Sequence, residues 1–225
     1  MWADWDFDWE NEHGLVAVGG DLTPRRLIEA YCRGVFPWYD AGMPICWWSP
    51  DPRAIFEMDG LHVSRRLRRT LRSGRFHYTL NRDFRGVIRG CAHRPGEGTW
   101  LTSEMIAAYI RLHELGWAHS VEVWLGKRLV GGIYGVAIGG FFAGESMFHR
   151  VSDASKAAMA YLFEHLRQRG FVLFDTQFVT QHTVRMGAIE IPRDDYLRRL
   201  EAAIQKPVTF LPEAEDWGDS PEMLG

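Results

Sequence analysis

Three groups of residues in this 225-residue chain combine reactive types with a spacing that lets them act together. In the segment FVLFDTQF, strand alternation puts Asp175 and Gln177 on one face of an otherwise apolar element. A carboxylate buried there needs hydrogen-bonded partners, a need that a catalytic or substrate-binding pair and a purely structural network would each satisfy. A second carboxylate, Glu145, lies in FFAGESMF among Phe141, Phe142, Met147 and Phe148. It would hold an ammonium group or sit in a buried ion pair, and residue type alone does not separate the two. In SRRLRRTLR, arginines 65, 68, 69 and 72 recur at helical spacing on one face, with Leu67 and Leu71 on another. Such a face is a solvated helix surface or a rail for phosphates, which guanidinium forks grip bidentately with release of counterions.

Other chemistries are excluded by spacing. His113-Glu114 and His119 lack the i, i+4 histidine pair of a zinc helix, so no metal is expected. Gly131, Gly132 and Gly135 lie in a strand pattern with no dinucleotide-binding helix after them, there is no Walker loop, and no cofactor is expected. Cys32, Cys46 and Cys91 are scattered without a CxxC pair, which fits a reducing compartment. No apolar run approaches the ~20 residues of a membrane helix, and the acidic start MWADWDFDWE is unlike a signal peptide, so a cytoplasmic protein without membrane contact is expected. With a net charge of −3, nucleic-acid contact must come from a local patch. Ten tryptophans suit packing and also stacking on bases.

The elements that must position these groups follow from caps and periodicity. Thr23-Pro24 and Gly34 bound a helix over about 24–33, after which the Pro-, Gly- and Trp-rich stretch FPWYDAGMPICWWSPDPR predicts loops and short strands. A boundary near Asp51 divides a small N-terminal α/β domain, 1–52, from a larger domain, 53–225. Helices are predicted at about 63–73 and 103–115, then strands HSVEVWL, RLVGGIYGVAI and FFAGESMF joined as hairpins through Gly126-Lys127 and Gly139-Gly140. A helix over 154–169, the strand FVLFDTQF, a helix near 194–204 and an irregular acidic tail complete the chain. The class is α+β, with a central mostly antiparallel sheet flanked by helices in the order of the N-acetyltransferase (GNAT-like) fold.

The blocks GLVAVGGDLTP, YCRGVFPWY, WWSPDPRAIF, EGTWLT, AYIRLHELGWAHSVEVW, LVGGIYGVA, FFAGESMF, ASKAAM, DTQ and GAIEIPRDDYL together resemble the leucyl/phenylalanyl-tRNA-protein transferase family across about residues 14–200. The resemblance implies transfer of Leu or Phe, and less readily Met, from aminoacyl-tRNA to the N-terminal amine of proteins beginning with Arg or Lys. It also implies marking for N-degron proteolysis and a monomer that binds the 3′ end and acceptor region of tRNA without a cofactor. The acetyltransferase-like domain of that family uses tRNA in place of acetyl-CoA, and SMFHRVSDASK here lacks the glycines that present amides to a CoA pyrophosphate.

By position, Asp175 and Gln177 match the family's catalytic pair, which orients the acceptor amine and assists its deprotonation or positions the aminoacyl group. Trp38 matches the residue that stacks on the terminal adenine, Trp100 and Glu145 with Ser146 match the donor site, and Arg65, Arg68, Arg69 and Arg72 match the tRNA-binding cluster. The donor side chain would enter a pocket of Ile133, Phe142, Met147, Met159, Leu162 and Phe174. The sequence departs from the family at Ile133 for a usual Met, Thr176 for a usual Cys, and Thr180-Gln181 for a usual Asn-Asp; the N-terminus is also short. Three alternatives stay open: an acceptor class of acidic N-termini, a tRNA-binding module without activity, and a CoA-dependent acyltransferase.

If the arginine face is a phosphate rail, Arg69→Ala weakens tRNA binding and lowers the slope of log affinity against log salt by about 1, measured by filter binding across a salt series. An unchanged slope would make the face a solvated surface.

Overall fold

The computed structural model describes residues 14–93 and 101–212. Near the start, β1 (Leu15–Val18), β2 (Phe36–Pro37) and β3 (Cys46–Trp48) form a small antiparallel sheet in the order β1-β3-β2, with α1 (Pro24–Cys32) between its first two strands. Pro24 opens that helix, where its fixed φ and missing N–H are tolerated. The main sheet has seven strands in the order β10-β4-β9-β8-β7-β6-β5. They are β4 (Arg53–Phe56), β5 (His77–Leu80), β6 (Ala118–Leu125), β7 (Arg128–Ile138), β8 (Phe141–His149), β9 (Leu173–Gln177) and β10 (Ile189–Ile191). Every neighbouring pair is antiparallel except β8 with β9.

Helices cover both faces of this sheet. On one face, α1, α3 (Phe84–Ala92), α4 (Ser103–Glu114) and α7 (Arg193–Ile204) bury a core that includes Tyr134, Val136 and Ile138 of β7. That core continues into the small sheet through Val16, Phe36 and Trp47. On the other face, α2 (Arg65–Arg72), α5 (Ala154–Arg169) and the start of the chain after α6 (Gln181–Arg185) enclose a second core with Val130, Ile133 and Ala137 of β7. Three helix ends are closed by local chemistry. Ser64 Oγ accepts from Leu67 N, Thr102 Oγ1 from Met105 N, and Gly170 closes α5 at φ 86°.

The α+β class and the mostly antiparallel sheet are as expected, but the sheet is wider. The expected four strands are joined by β4, β5 and β10, and α3 and α6 are further additions. Each added strand has three or four residues, too few to show alternation, and β4 is buried at every position, so it has none to show.

The glycines of β7 make room for close packing. A Cβ on Gly131 would lie 2.7 Å from that of Ala154, and one on Gly132 would lie 2.9 Å from the Val87 side chain. The parallel pairing of β8 with β9 spans only Phe141 to Ala143 opposite Leu173 to Asp175. Beyond Ala143, β8 continues on β7 while β9 continues on β4, so the two strands part and a gap opens at the middle of the sheet.

A methyl group added at Gly135 would lie 2.2 Å from the Ala143 carbonyl oxygen and 2.5 Å from the Phe142 ring. Gly135→Ala is therefore expected to lower stability by about 1–3 kcal/mol in urea unfolding, because a paired backbone cannot yield as a side-chain end can.

Candidate active site

The floor of the gap is a buried ion pair. Arg53 of β4 donates from Nε to Asp175 Oδ1 at 2.9 Å and from Nη2 to Oδ2 at 2.6 Å, while its Nη1 donates to the Gly34 carbonyl at 2.9 Å. The guanidinium lies 4.4 Å from the Tyr196 ring and 4.8 Å from that of Phe36. Burial works against its charge, but Asp175, Tyr196 and Glu145 together outweigh that and hold its pKa above the usual value. Asp175 also accepts from the Tyr196 hydroxyl at 3.0 Å and from the Gln177 backbone N–H at 2.9 Å. Four donors thus occupy its two oxygens. The last of them fixes Gln177, whose φ of 60° is in the left-handed region that side chains seldom adopt.

Above this floor Gln177 Nε2 donates to Glu145 Oε1 at 3.3 Å. Glu145 comes from β8 on the far side of the gap and is held by two tyrosines. The Tyr31 hydroxyl of α1 lies 2.7 Å from Oε1, the Tyr109 hydroxyl of α4 lies 2.9 Å from Oε2, and the two hydroxyls are 2.6 Å apart. Three close oxygen contacts need three protons. A neutral carboxyl supplies the third, whereas an ionised one leaves a contact without hydrogen. Burial pushes the Glu145 carboxyl up to about 7, against the lowering effect of the tyrosine hydrogen bonds.

Two cavities meet at this point. The first, of about 400 Å³, is lined on its apolar side by Ile133, Met147, Met159 and Phe174, with Ser146 beside Glu145. The second, of about 540 Å³, is lined by Phe36, Pro37 and Trp38 of the small sheet. Glu145, Thr176, Gln177, Phe178 and Thr180 line both and form the seam. Trp38 is 44% exposed and is braced from behind by Trp48 and Phe178, with ring centroids 5.9 and 5.6 Å away. An indole fixed in this way offers a free face for stacking.

Several expected positions are placed elsewhere. Phe142 and Leu162, expected in the pocket wall, line neither cavity and are each 1% exposed. Phe142 lies behind Phe174 with ring centroids 5.4 Å apart, and Leu162 lies one helical turn deeper than Met159. Asp175 lines neither cavity and is joined to the seam by the hydrogen bond it accepts from the Gln177 backbone N–H. Trp100 falls outside the described residues. Arg65, Arg68, Arg69 and Arg72 are exposed on α2 and, among the described residues, form no ion pair, while Arg66 binds Asp153 at 3.3 Å.

Arg53, Tyr31, Tyr109 and Tyr196 were not singled out from sequence. Arg53 did carry a signal: a cation inside the apolar run RAIF requires a buried acid. Thr180 caps α6, its Oγ1 accepting from Thr183 N at 3.1 Å while Thr183 Oγ1 accepts from Thr180 N at 2.8 Å. Asn is an equally good cap, so the departure from Asn at this position leaves the local geometry intact.

Comparison with known proteins gives consistent matches. A family model described as leucyl/phenylalanyl-tRNA protein transferase matches residues 55–201, and one for the N-terminal domain of that family matches residues 20–51. A leucyl/phenylalanyl-tRNA–protein transferase from Nitratidesulfovibrio vulgaris is 56% identical over 197 residues, 86% of this chain and 84% of its own length. One from Magnetococcus marinus is 52% identical over 204 residues, 88% of this chain and 87% of its own. Among solved structures, a GCN5-related N-acetyltransferase-like protein from Streptococcus suis is similar over 74% of this chain and 63% of its own, with 13% identity and a TM-score of 0.37.

The raised pKa of Glu145 has a measurable effect on stability. The folded chain holds this proton more tightly than the unfolded one, so its contribution is present below about 4.5 and lost as pH rises through about 7. The loss is of order 3 kcal/mol. Glu145→Gln abolishes it, so the Tm of the variant relative to wild type should rise by several degrees between about pH 5 and pH 8. A difference independent of pH would show that Glu145 titrates normally.

Proposed function

The chain belongs to the leucyl/phenylalanyl-tRNA protein transferase family and is an aminoacyltransferase, and on that premise we propose that it moves Leu or Phe, and less readily Met, from aminoacyl-tRNA to the N-terminal amine of proteins beginning with Arg or Lys, marking them for N-degron proteolysis. The observation that carries this reading is the seam, where a carboxylate and an amide stand between an apolar cavity and an exposed indole. The donor side chain enters the first cavity and the terminal adenine stacks on Trp38, which brings the ester to Gln177 and Glu145. Stacking of this kind contributes ~1–3 kcal/mol. A methylene in an apolar pocket changes binding by only ~1–3 kcal/mol, so tolerance among Leu, Phe and Met is expected.

The chemistry then needs positioning and one proton acceptor. The neutral amine attacks the ester carbonyl carbon, the new C–N bond forms, and the tetrahedral intermediate collapses by breaking the ester C–O bond. The ribose hydroxyl leaves and needs a proton, and the amine must lose one. Glu145, poised at about 7, takes that proton and returns it to the departing oxygen. Gln177 holds the amine beside it, and Asp175 keeps Gln177 in place. Because the ester is already activated, the reaction balances without ATP.

Charge supports the acceptor class. Among the described residues the second cavity is lined by Glu145 and by no cationic residue, which favours a basic N-terminal residue over an acidic one. The test is transfer of labelled Leu or Phe from charged tRNA to peptides beginning with Arg, Lys or Asp, without ATP or CoA. Incorporation on Arg and Lys peptides is expected, and Glu145→Gln should reduce it by about 100-fold or more at unchanged tRNA affinity. Incorporation on the Asp peptide alone would reverse the acceptor assignment, and tRNA binding without transfer would identify a binding module.

A further inference from the structure

Beside the seam lies a strip of basic residues that the reaction described above does not use. His149, Ser155 and His182 line the first cavity at its rim. Lys156 stands on the first turn of α5, and Arg185 on the same helix as His182. The His182 imidazole is held below its usual range first by burial and then by Lys156, His149 and Arg185. None of these four residues is in an ion pair among the described residues. The acid nearest in sequence, Asp153, is taken up elsewhere, accepting from Arg66 at 3.3 Å and from Thr70 Oγ1 at 3.4 Å. Those two contacts also fasten α2 to the start of α5.

An anion arriving there would be bound by a charge-assisted hydrogen bond from the Lys156 ammonium and by ring N–H donors of two imidazoles. The first turn of α5 adds backbone donors that no side chain caps. Position selects the anion. The strip starts at the first turn of α5, next to the Asp153 that binds Arg66 of α2, and reaches a position two residues past Thr180, a member of the seam. A donor whose ester lies at the seam carries its nearest phosphate one ribose away. We propose that Lys156, His149 and His182 bind the phosphodiester that joins the donor's terminal adenosine to the preceding nucleotide, and so lead the tRNA strand from the arginine helix to the seam. This assignment rests on the donor-site reading given above.

The test compares two stable donor mimics by calorimetry. One is adenosine carrying phenylalanine through a 3′ amide, with no phosphate. The other is the same nucleoside extended by a 5′-linked cytidylyl group, which adds one phosphodiester. Wild type should bind the dinucleotide about tenfold or more tightly than the nucleoside, with the gain shrinking as salt rises. In the double variant Lys156→Ala, His182→Gln the nucleoside should bind as in wild type, while the dinucleotide falls to within about threefold of it. A gain that survives both substitutions overturns the proposal, as does a wild-type protein that does not distinguish the two mimics. Loss of nucleoside binding in the variant alone would mean that the strip shapes the cavity rather than binding phosphate, and would also overturn it. Failure of wild type to bind the nucleoside at all would overturn the donor-site reading itself, and this assignment with it.

Discussion

The pairing of Arg53 with Asp175 is the contact on which the rest of the site depends. Removing two charges from water costs several kcal/mol each, and the pair persists only because its geometry is bidentate and almost every remaining donor and acceptor is used. Its partners come from separate parts of the chain. Gly34 follows α1, Phe36 belongs to the small sheet, Tyr196 to α7 and Gln177 to the end of β9. One guanidinium therefore ties the small sheet, the main sheet and the last helix together at the point where β8 and β9 separate. The cost of holding Gln177 at positive φ, of order 1–3 kcal/mol, is met by the hydrogen bond its N–H gives to Asp175.

The two buried carboxylates of the site have opposite surroundings, and this divides their roles. Asp175 faces the Arg53 guanidinium, and four donors occupy its two oxygens. Glu145 faces neutral hydroxyls and an amide, which can share hydrogens with it but cannot balance its charge. Burial brings the Glu145 carboxyl up to about 7. An arriving ammonium would complete the charge balance of its ionised form.

Much of the framework was legible in the sequence because its signals are local. Pro24, Thr102 and Gly170 mark helix ends through their own backbone or side-chain chemistry, and β6 to β8 are long enough to display themselves between glycine turns. The strands β4, β5 and β10 were not legible, since four residues cannot establish a period and β4 contains a buried arginine. The apolar pocket was half legible. Ile133, Met147, Met159 and Phe174 reach the cavity, but whether a residue is in the wall or one layer behind depends on where β8 and β9 part, and that is decided by pairing across the sheet. Tyr31 and Tyr109 were hidden for a similar reason: on α1 and α4 they occupy core-facing positions and look like ordinary packing residues until Glu145 is brought between them.

The gap between β8 and β9 would be only a defect if the small sheet did not lie across one of its ends. A parting pair of strands exposes backbone and leaves apolar side chains wet, which is costly unless something fills the space. Here Phe36 and Trp38 from the small sheet close one side, with Phe178 packed edge-on to Phe36 at 5.7 Å, and Met147 and Met159 fill the other without closing it. Methionine suits that position because its unbranched, polarisable chain adapts to different apolar ligands. The seam is therefore rigid where the ion pair and the tyrosines fix it and adaptable where the donor side chain would lie. That is the distribution a transferase needs when the reacting atoms are always the same and the side chain attached to them is not.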